Sequence, residues 1–327
     1  MTLLSSLLHV TNFRDPFLKT LVPSISAAFA VQAAVAVPSI LAQSERFYDL
    51  SGSLTYLSVT ALSLYLPTWR ARAAAAAASS AKPAWPGLLD AFTTKGGQNG
   101  LNWRQVVLST AVAVWATRLG TYLFQRVIAD GHDSRFDEIR KSPPKFFGAF
   151  MAQATWVSIS MMPVLALNSI PPTALATLPV LGLTDIVGIL LFVGGLSLEI
   201  AADRQKSAWV QAKKNKEHDE DFLTHGLWSK SRHPNYFGES TLWTGIATTA
   251  AGVLMSNAGQ KGTGIASTSY ARVLGLGMCV ISPVFVTFLV FKVSGIPLSE
   301  NKYDKRYGDR KDYQKWKRET PIFIPKF

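Results

Sequence analysis

Charge is in short supply along this chain. Only 17% of its 327 residues are charged, against about 25% in an ordinary soluble domain. Hydrophobic residues make up 48%, and mean hydropathy is +0.17. The few charges fall in blocks between long apolar runs, which excludes an ordinary soluble domain and matches a membrane protein. Cysteine is scarcer still. Cys279 stands alone inside an apolar run, so no internal disulfide forms and nothing requires an oxidising compartment. Acid is short relative to base, 21 residues against 33, for a net charge of +12. The basic residues sit on short loops and a tail and form no single stripe. They report orientation in a bilayer and exclude a nucleic-acid partner. The first 20 residues have no basic segment leading into a short apolar core and a small-residue cleavage site. No removable signal peptide is expected, although the run after Leu21 suits an uncleaved anchor.

Long apolar stretches are abundant. Seven of them, near residues 21–42, 52–69, 105–128, 147–170, 179–201, 236–255 and 272–293, each approach the ~20 residues that a ~30 Å hydrocarbon core requires. The expected fold is all-α and polytopic, with about seven transmembrane helices. The fourth stretch contains Pro163, and Pro171-Pro172 marks the turn after it. Residues 71–102 change character, from an alanine run (Ala73 to Ala78) to Pro-, Gly- and Ser-rich chain through Ala84-Trp85-Pro86-Gly87 and Gly96-Gly97. A flexible connector is expected there. It divides an N-terminal part, 1–104, from a C-terminal membrane domain, 105–327. Lys and Arg counts set the orientation. Arg135, Arg140, Lys141 and Lys145 follow the third stretch, seven basic residues from Arg204 to Arg232 follow the fifth, and nine follow Glu300. The facing loops 171–178 and 256–271 hold only Lys261. A cytosolic C-terminus is expected, although the connector at 70–104 adds five basic residues to the opposite face.

Ionisable residues inside apolar spans point to function. Arg118 lies mid-span, either in a structural ion pair or against a ligand, with Tyr122 one turn on and Arg126 near the helix end. Glu199 and Asp203 are four apart at the end of the fifth stretch and share one helix face. An ordinary polar helix end paired with Lys206 is the alternative. The most informative stretch runs from Gly226 to Glu239. Pro234 fits a helix start. The N–H groups after it form an anion seat, to which Arg232 adds a bidentate donor. Glu239 sits one turn inside. His218, His225 and His233 lack metal-ligand spacing, so no metal is expected. The tail interleaves aromatics with cations around Tyr303, Tyr307, Tyr313 and Trp316. That pattern suits either anionic headgroups or a lid over a nucleotide. The apolar Ile322-Phe323-Ile324-Pro325 suits a return to the same rim.

From about Arg118 to Phe327 the chain resembles the 3-oxo-5-alpha-steroid 4-dehydrogenase (steroid 5α-reductase) C-terminal family, in its broad microbial and fungal branch. The likeness rests on Asp133-Ser134-Arg135-Phe136-Asp137, Glu199 with Ala202-Asp203-Arg204-Gln205-Lys206, Gly226 to Glu239, Ser294-Gly295-Ile296-Pro297-Leu298 and Ile324-Pro325. The resemblance implies a seven-span fold opening to the cytosol, with NADPH held among the C-terminal helices. Its implied contacts are Arg135, Glu199, Asp203, Lys206, Arg232, His233, Asn235, Tyr236, Glu239 and a tail tyrosine, Tyr303 or Tyr307. Glu199 stands where the steroid enzymes have asparagine. The implied reaction is reduction of an activated C=C bond in a lipid or steroid-like substrate, in the endoplasmic reticulum. The family's Glu–Tyr pair for the substrate carbonyl has no counterpart here, and Tyr122, with Arg118, is the candidate acid. Two other readings stand. Membrane methyltransferases that use S-adenosylmethionine carry a similar Arg-His-Pro-x-Tyr at a helix start. A non-catalytic lipid-binding protein would keep the fold without turnover.

Overall fold

The computed structural model describes the chain apart from residues 1–2, 94–99, 132, 266–268 and 327. Of the described residues, 76% are helical, and no strand occurs among them. The helices are α1 (Leu3–Val10), α2 (Pro16–Leu41), α3 (Tyr48–Ala77), α4 (Trp103–Asp130), α5 (Pro143–Ser160), α6 (Met162–Asn168), α7 (Pro172–Leu175), α8 (Leu183–Lys214), α9 (Pro234–Leu254), α10 (Asn257–Thr263), α11 (Ser269–Phe288), α12 (Gly295–Tyr307) and α13 (Lys311–Glu319). Local chemistry sets their ends. Asn102 and Gln105 form a reciprocal capping box at the start of α4, where Asn102 Oδ1 accepts from the Arg104 amide at 3.0 Å and the Asn102 amide donates to Gln105 Oε1 at 3.1 Å. Gly131, at φ 80°, closes that helix in the left-handed region where glycine costs least. Pro163 lies in the first turn of α6 and cannot donate to the preceding turn, and the chain bends by 55° between α5 and α6.

By length and apolarity, α2, α4, α8 and the run Tyr270–Tyr307 can each cross a bilayer, and the bent α5–α6 pair makes a fifth. Their outward faces are apolar. On α8, Leu190 and Val193 are exposed, and on α11 so are Val273, Val284 and Phe288. Faces of this size and character belong in lipid, and the chain is membrane-embedded. Helices α3 and α9 coincide with two more of the expected stretches. They fall short in apolarity because Ser and Thr dilute them, and α3 buries Ser51, Ser53, Thr55, Thr60 and Ser63.

Two compact units result. The first comprises residues 1–182 and 249–281, the second residues 183–248 and 282–327. The boundary expected at residue 104 therefore lies inside the first unit. In that unit α3 packs on α2 and α4, and α5 packs on α2. Neutral polar groups pair within its interior, where Glu45 and Arg104 are also buried. Gln32 Nε2 donates to Thr55 Oγ1 at 2.8 Å, and Ser51 Oγ lies 3.3 Å from Gln32 Oε1 and 3.2 Å from Gln153 Oε1. Tyr56 OH and Ser160 Oγ share a hydrogen bond of 2.6 Å, and Asn168 Nδ2 donates to Ser63 and Ser109. With no water in the bilayer core, such groups must find partners within the protein.

Within the connector expected at 71–102, regular structure among the described residues is helix over 71–77 and a 3-10 turn at Leu89–Phe92. Residues 73–77 continue α3, as alanine's helix propensity favours. Ala91 and Leu101 join Leu64 and Val106 in a buried cluster. Gly96-Gly97 lies outside the described residues.

In the second unit α8 and α9 touch backbone to backbone. A Cβ on Gly238 would sit 2.7 Å from both the Glu199 amide nitrogen and the Gly195 carbonyl oxygen, and Gly245 meets the Gly188 carbonyl just as closely. Only hydrogen fits at these crossings. The approach sets the first turn of α9 beside the polar end of α8.

Candidate functional site

The last turns of α8 leave the apolar segment with Glu199, Asp203 and Lys206 on one side. Glu199 is 2% exposed and Asp203 5%. The polypeptide then turns back through Gly226, whose φ of 62° needs glycine. Gln205 Oε1 accepts from the Leu227 amide at 2.9 Å, and Trp228 Nε1 donates to the Ala202 carbonyl at 3.0 Å. These bonds fix the approach to α9 and bring Asn235 onto α8, where its Nδ2 donates to Asp203 Oδ1 at 3.2 Å. Ser231 accepts from the His233 amide at 3.1 Å and donates to the Phe323 carbonyl at 2.8 Å.

Residues 321–326 return along this loop. The Arg232 amide donates to the Pro321 carbonyl at 2.8 Å, and the Lys326 amide donates to the Lys230 carbonyl at 2.9 Å. Phe323 packs between Phe237 and Phe291, with ring centroids 5.4 and 4.6 Å away. The apolar ending thus closes on the loop before α9.

Helices α12 and α13 bring the charges together around Glu300. Its carboxylate accepts from Arg232 Nη1, from His233 Nε2 at 2.8 Å and from Lys317 Nζ at 3.3 Å. Lys317 also pairs with Asp304, which accepts from Tyr313 OH at 2.9 Å. Burial pushes the Tyr313 phenol up, and the neighbouring Asp304 carboxylate adds to this, so Tyr313 remains a donor. Burial pushes the His233 imidazole below its ordinary value, Lys206 and Arg232 push the same way, and Glu300 opposes them.

Between α8, the 222–233 loop and these helices lies a narrow cleft of about 20 Å³, far below the roughly 300–1,000 Å³ of small-molecule sites, so a ligand of that size would have to part its walls. Its walls are aromatic: Trp209, Phe222, Trp228, Tyr303, Tyr313 and Trp316. Lys206, Arg232, His233 and Glu300 supply its polar groups, and Lys206 Nζ lies 4.8 Å from the Trp228 ring centre. Arg232 Nε, Trp316 Nε1 and Asn235 Oδ1 are buried with no hydrogen-bond partner. The cations Lys206 and Arg232 among these rings suit an anionic group that carries a flat ring, and a nucleotide phosphate with its base is such a group.

A family model described as a protein of unknown function (DUF1295) matches residues 78–320. This stretch includes every residue lining the cleft. The chain belongs to the DUF1295 family. No curated protein and no solved structure matches it.

Of the residues expected at the site, the DUF1295 chain brings Lys206, Arg232, His233 and Tyr303 into the cleft lining. Asp203 and Asn235 meet at its α8–α9 side. Glu199 is buried one turn from Asp203, Glu239 is buried one turn into α9, and Tyr236 stacks on His233 at 5.7 Å. Tyr307 packs behind the wall against Phe222. Three others belong to the first unit. Arg118 lies 5.6 Å from the Tyr122 ring centre. Arg135 grips Asp133 through Nε and Nη2, and its Nη2 reaches Asp49 at 3.1 Å. Burial would raise the Asp133 carboxyl, but the guanidinium beside it outweighs that and holds it below the usual range. Glu300 was not expected; it lies four residues from Asp304 on α12, and only the fold brings Lys317 to both.

Proposed function

We propose that this DUF1295 chain is a membrane-embedded, NADPH-dependent reductase of an activated C=C bond in a lipid or steroid-like substrate. Seven spans, with α3 and α9 completing the set, a cytosolic C-terminus and residence in the endoplasmic reticulum form part of the reading. The observation that carries it is the cleft in which Lys206 and Arg232 lie among six aromatic rings. The family's association with steroid 5α-reductase-like proteins supports it.

NADPH, when bound, supplies the two-electron reduction of the double bond. The chain's own residues bind and orient it. Arg232 and Lys206 would hold phosphate oxygens, Arg232 through a planar fork and Lys206 as a point charge. The Trp and Tyr walls would cover the flat rings and exclude water. Asn235, oriented by Asp203, presents its free carbonyl oxygen to an amide N–H. His233, kept neutral near pH 7 by burial, leaves the positive charge to Lys206 and Arg232.

Methyl transfer from S-adenosylmethionine fits less well. Its sulfonium would need an open aromatic face, yet Lys206 already stands over Trp228 and Lys213 lies 5.6 Å from the Trp209 ring centre. The test is thermal stabilisation of the purified protein by NADPH, NADH and S-adenosylmethionine. A ligand at 100 times its Kd adds about 2.7 kcal/mol. NADPH is expected to stabilise most, and Arg232→Met to remove that gain. Stabilisation by S-adenosylmethionine alone, or by none of the three, refutes the reading.

A further inference from the structure

The first unit carries an apolar surface that neither the fold nor the cleft accounts for. Residues 85–92 form an ordered turn held from beneath. Ala91 is buried against Leu64, Leu101 and Val106, and the Gly87 amide donates to Asp90 Oδ2 at 3.1 Å. From this base Leu89 and Phe92 project outward, 82% and 59% exposed, with Trp85 and Leu88 beside them. In water such a cluster would be a liability.

Its surroundings name the solvent. Trp85 packs edge-on against Tyr65 and Trp69, at 6.0 and 6.4 Å, and the Arg72 guanidinium lies 5.0 Å from its ring centre. Trp103, at the start of α4, has Arg104 at 4.6 Å. The arginines are also tied to main-chain carbonyls. Arg70 donates to those of Leu8, Thr11 and Lys19, Arg72 to that of Pro83, and Arg104 to that of Pro179. Trp and Tyr rings interleaved with snorkelling cations are the composition of a membrane–water boundary.

We infer that residues 85–92 are an interfacial anchor, seated at headgroup level with Leu89 and Phe92 inserted among the acyl chains. Three of the five basic residues between 70 and 104 then cease to contradict the charge asymmetry of the other loops. Arg70, Arg72 and Arg104 are fixed to rings and carbonyls at the boundary, where they serve as anchors instead of marking a cytosolic loop.

The test uses the full chain in phosphatidylcholine vesicles, with an environment-sensitive fluorophore on Leu89→Cys. Cys279 is buried, and the unsubstituted chain sets the labelling background. Asp219→Cys, on an exposed loop, is the aqueous control. The label at 89 is expected to be quenched by lipid brominated near the headgroup and shielded from iodide severalfold relative to 219. Equal iodide quenching at the two positions overturns the inference. So does shielding without quenching by any brominated lipid, which means that protein covers the turn. So does stronger quenching from lipid brominated at the chain ends, which places the turn deep in the core. Phe92→Cys repeats the reading should Leu89→Cys fold poorly.

Discussion

The two units solve the burial of polar groups in opposite ways. The first fills its interior with hydroxyls and amides: Gln32, Ser51, Thr55, Gln153, Asn168 and Ser63 exchange neutral hydrogen bonds. The second concentrates charge, with Arg232, His233 and Lys317 on a single carboxylate, Glu300, and leaves donors unused nearby. A neutral network tolerates loss because a hydroxyl has several acceptors within reach. Ser51 Oγ also bonds the Tyr48 carbonyl at 2.7 Å, and Thr55 Oγ1 the Ser51 carbonyl at 2.7 Å. A charge cluster has no such reserve. Helices are held together cheaply by the first arrangement, and the second ties α12 and α13 to the loop before α9.

The largest expected effect comes from breaking the charged side. Glu300→Ala leaves the buried Arg232 uncompensated, while Lys317 keeps Asp304, and should cost about 3 kcal/mol, read as a fall in melting temperature; an unchanged midpoint would mean that the cluster is already solvated. Gln32→Leu, on the neutral side, should cost only about 1 kcal/mol and leave the NADPH response intact. A loss equal to that of Glu300→Ala would erase the contrast between the units.

Acid should separate a His233 step from carboxyl steps that both units share, since Glu300 and Asp304 are also held below their ordinary values. His233 is depressed from its ordinary 6.5, so the unfolded chain takes up the proton first. The stability it contributes is complete above 6.5 and is lost as pH falls through the lower folded value. The carboxyls of the first unit behave likewise at lower pH. Burial would raise the Glu45 carboxyl, but bonds from the Asp133 amide and Arg140 hold it below its ordinary 4.5. Melting followed against pH should therefore show a first decline starting near 6.5 that His233→Phe removes, and a second below 4.5 that it does not. The smallest effect is expected at Lys141–Glu138, an exposed pair at 2.6 Å. Lys141→Ala should leave the melting temperature unchanged, as for most surface pairs.

Helices were legible wherever apolarity persisted for about 20 residues, and each of the seven expected stretches overlaps a helix. The alanine run misled because its neighbours are Pro, Gly and Ser, while alanine itself extends α3 at no side-chain cost. At the site, Lys206, Arg232, His233 and Tyr303 stood out by charge and by the helix start at Pro234. Glu300 did not, because its weight comes from Lys317, seventeen residues on in another helix, and from Arg232, sixty-eight residues back. Such convergence is a product of tertiary packing and leaves no local pattern.

Helix α8 is longer than the task of crossing a membrane requires. Its 32 residues extend about 48 Å at 1.5 Å per residue, against a hydrocarbon core of about 30 Å. The surplus carries Asp203, Lys206 and Trp209 at the far end of a rod whose root is in lipid. The surplus therefore sets the cleft residues of α8 beyond the hydrocarbon core.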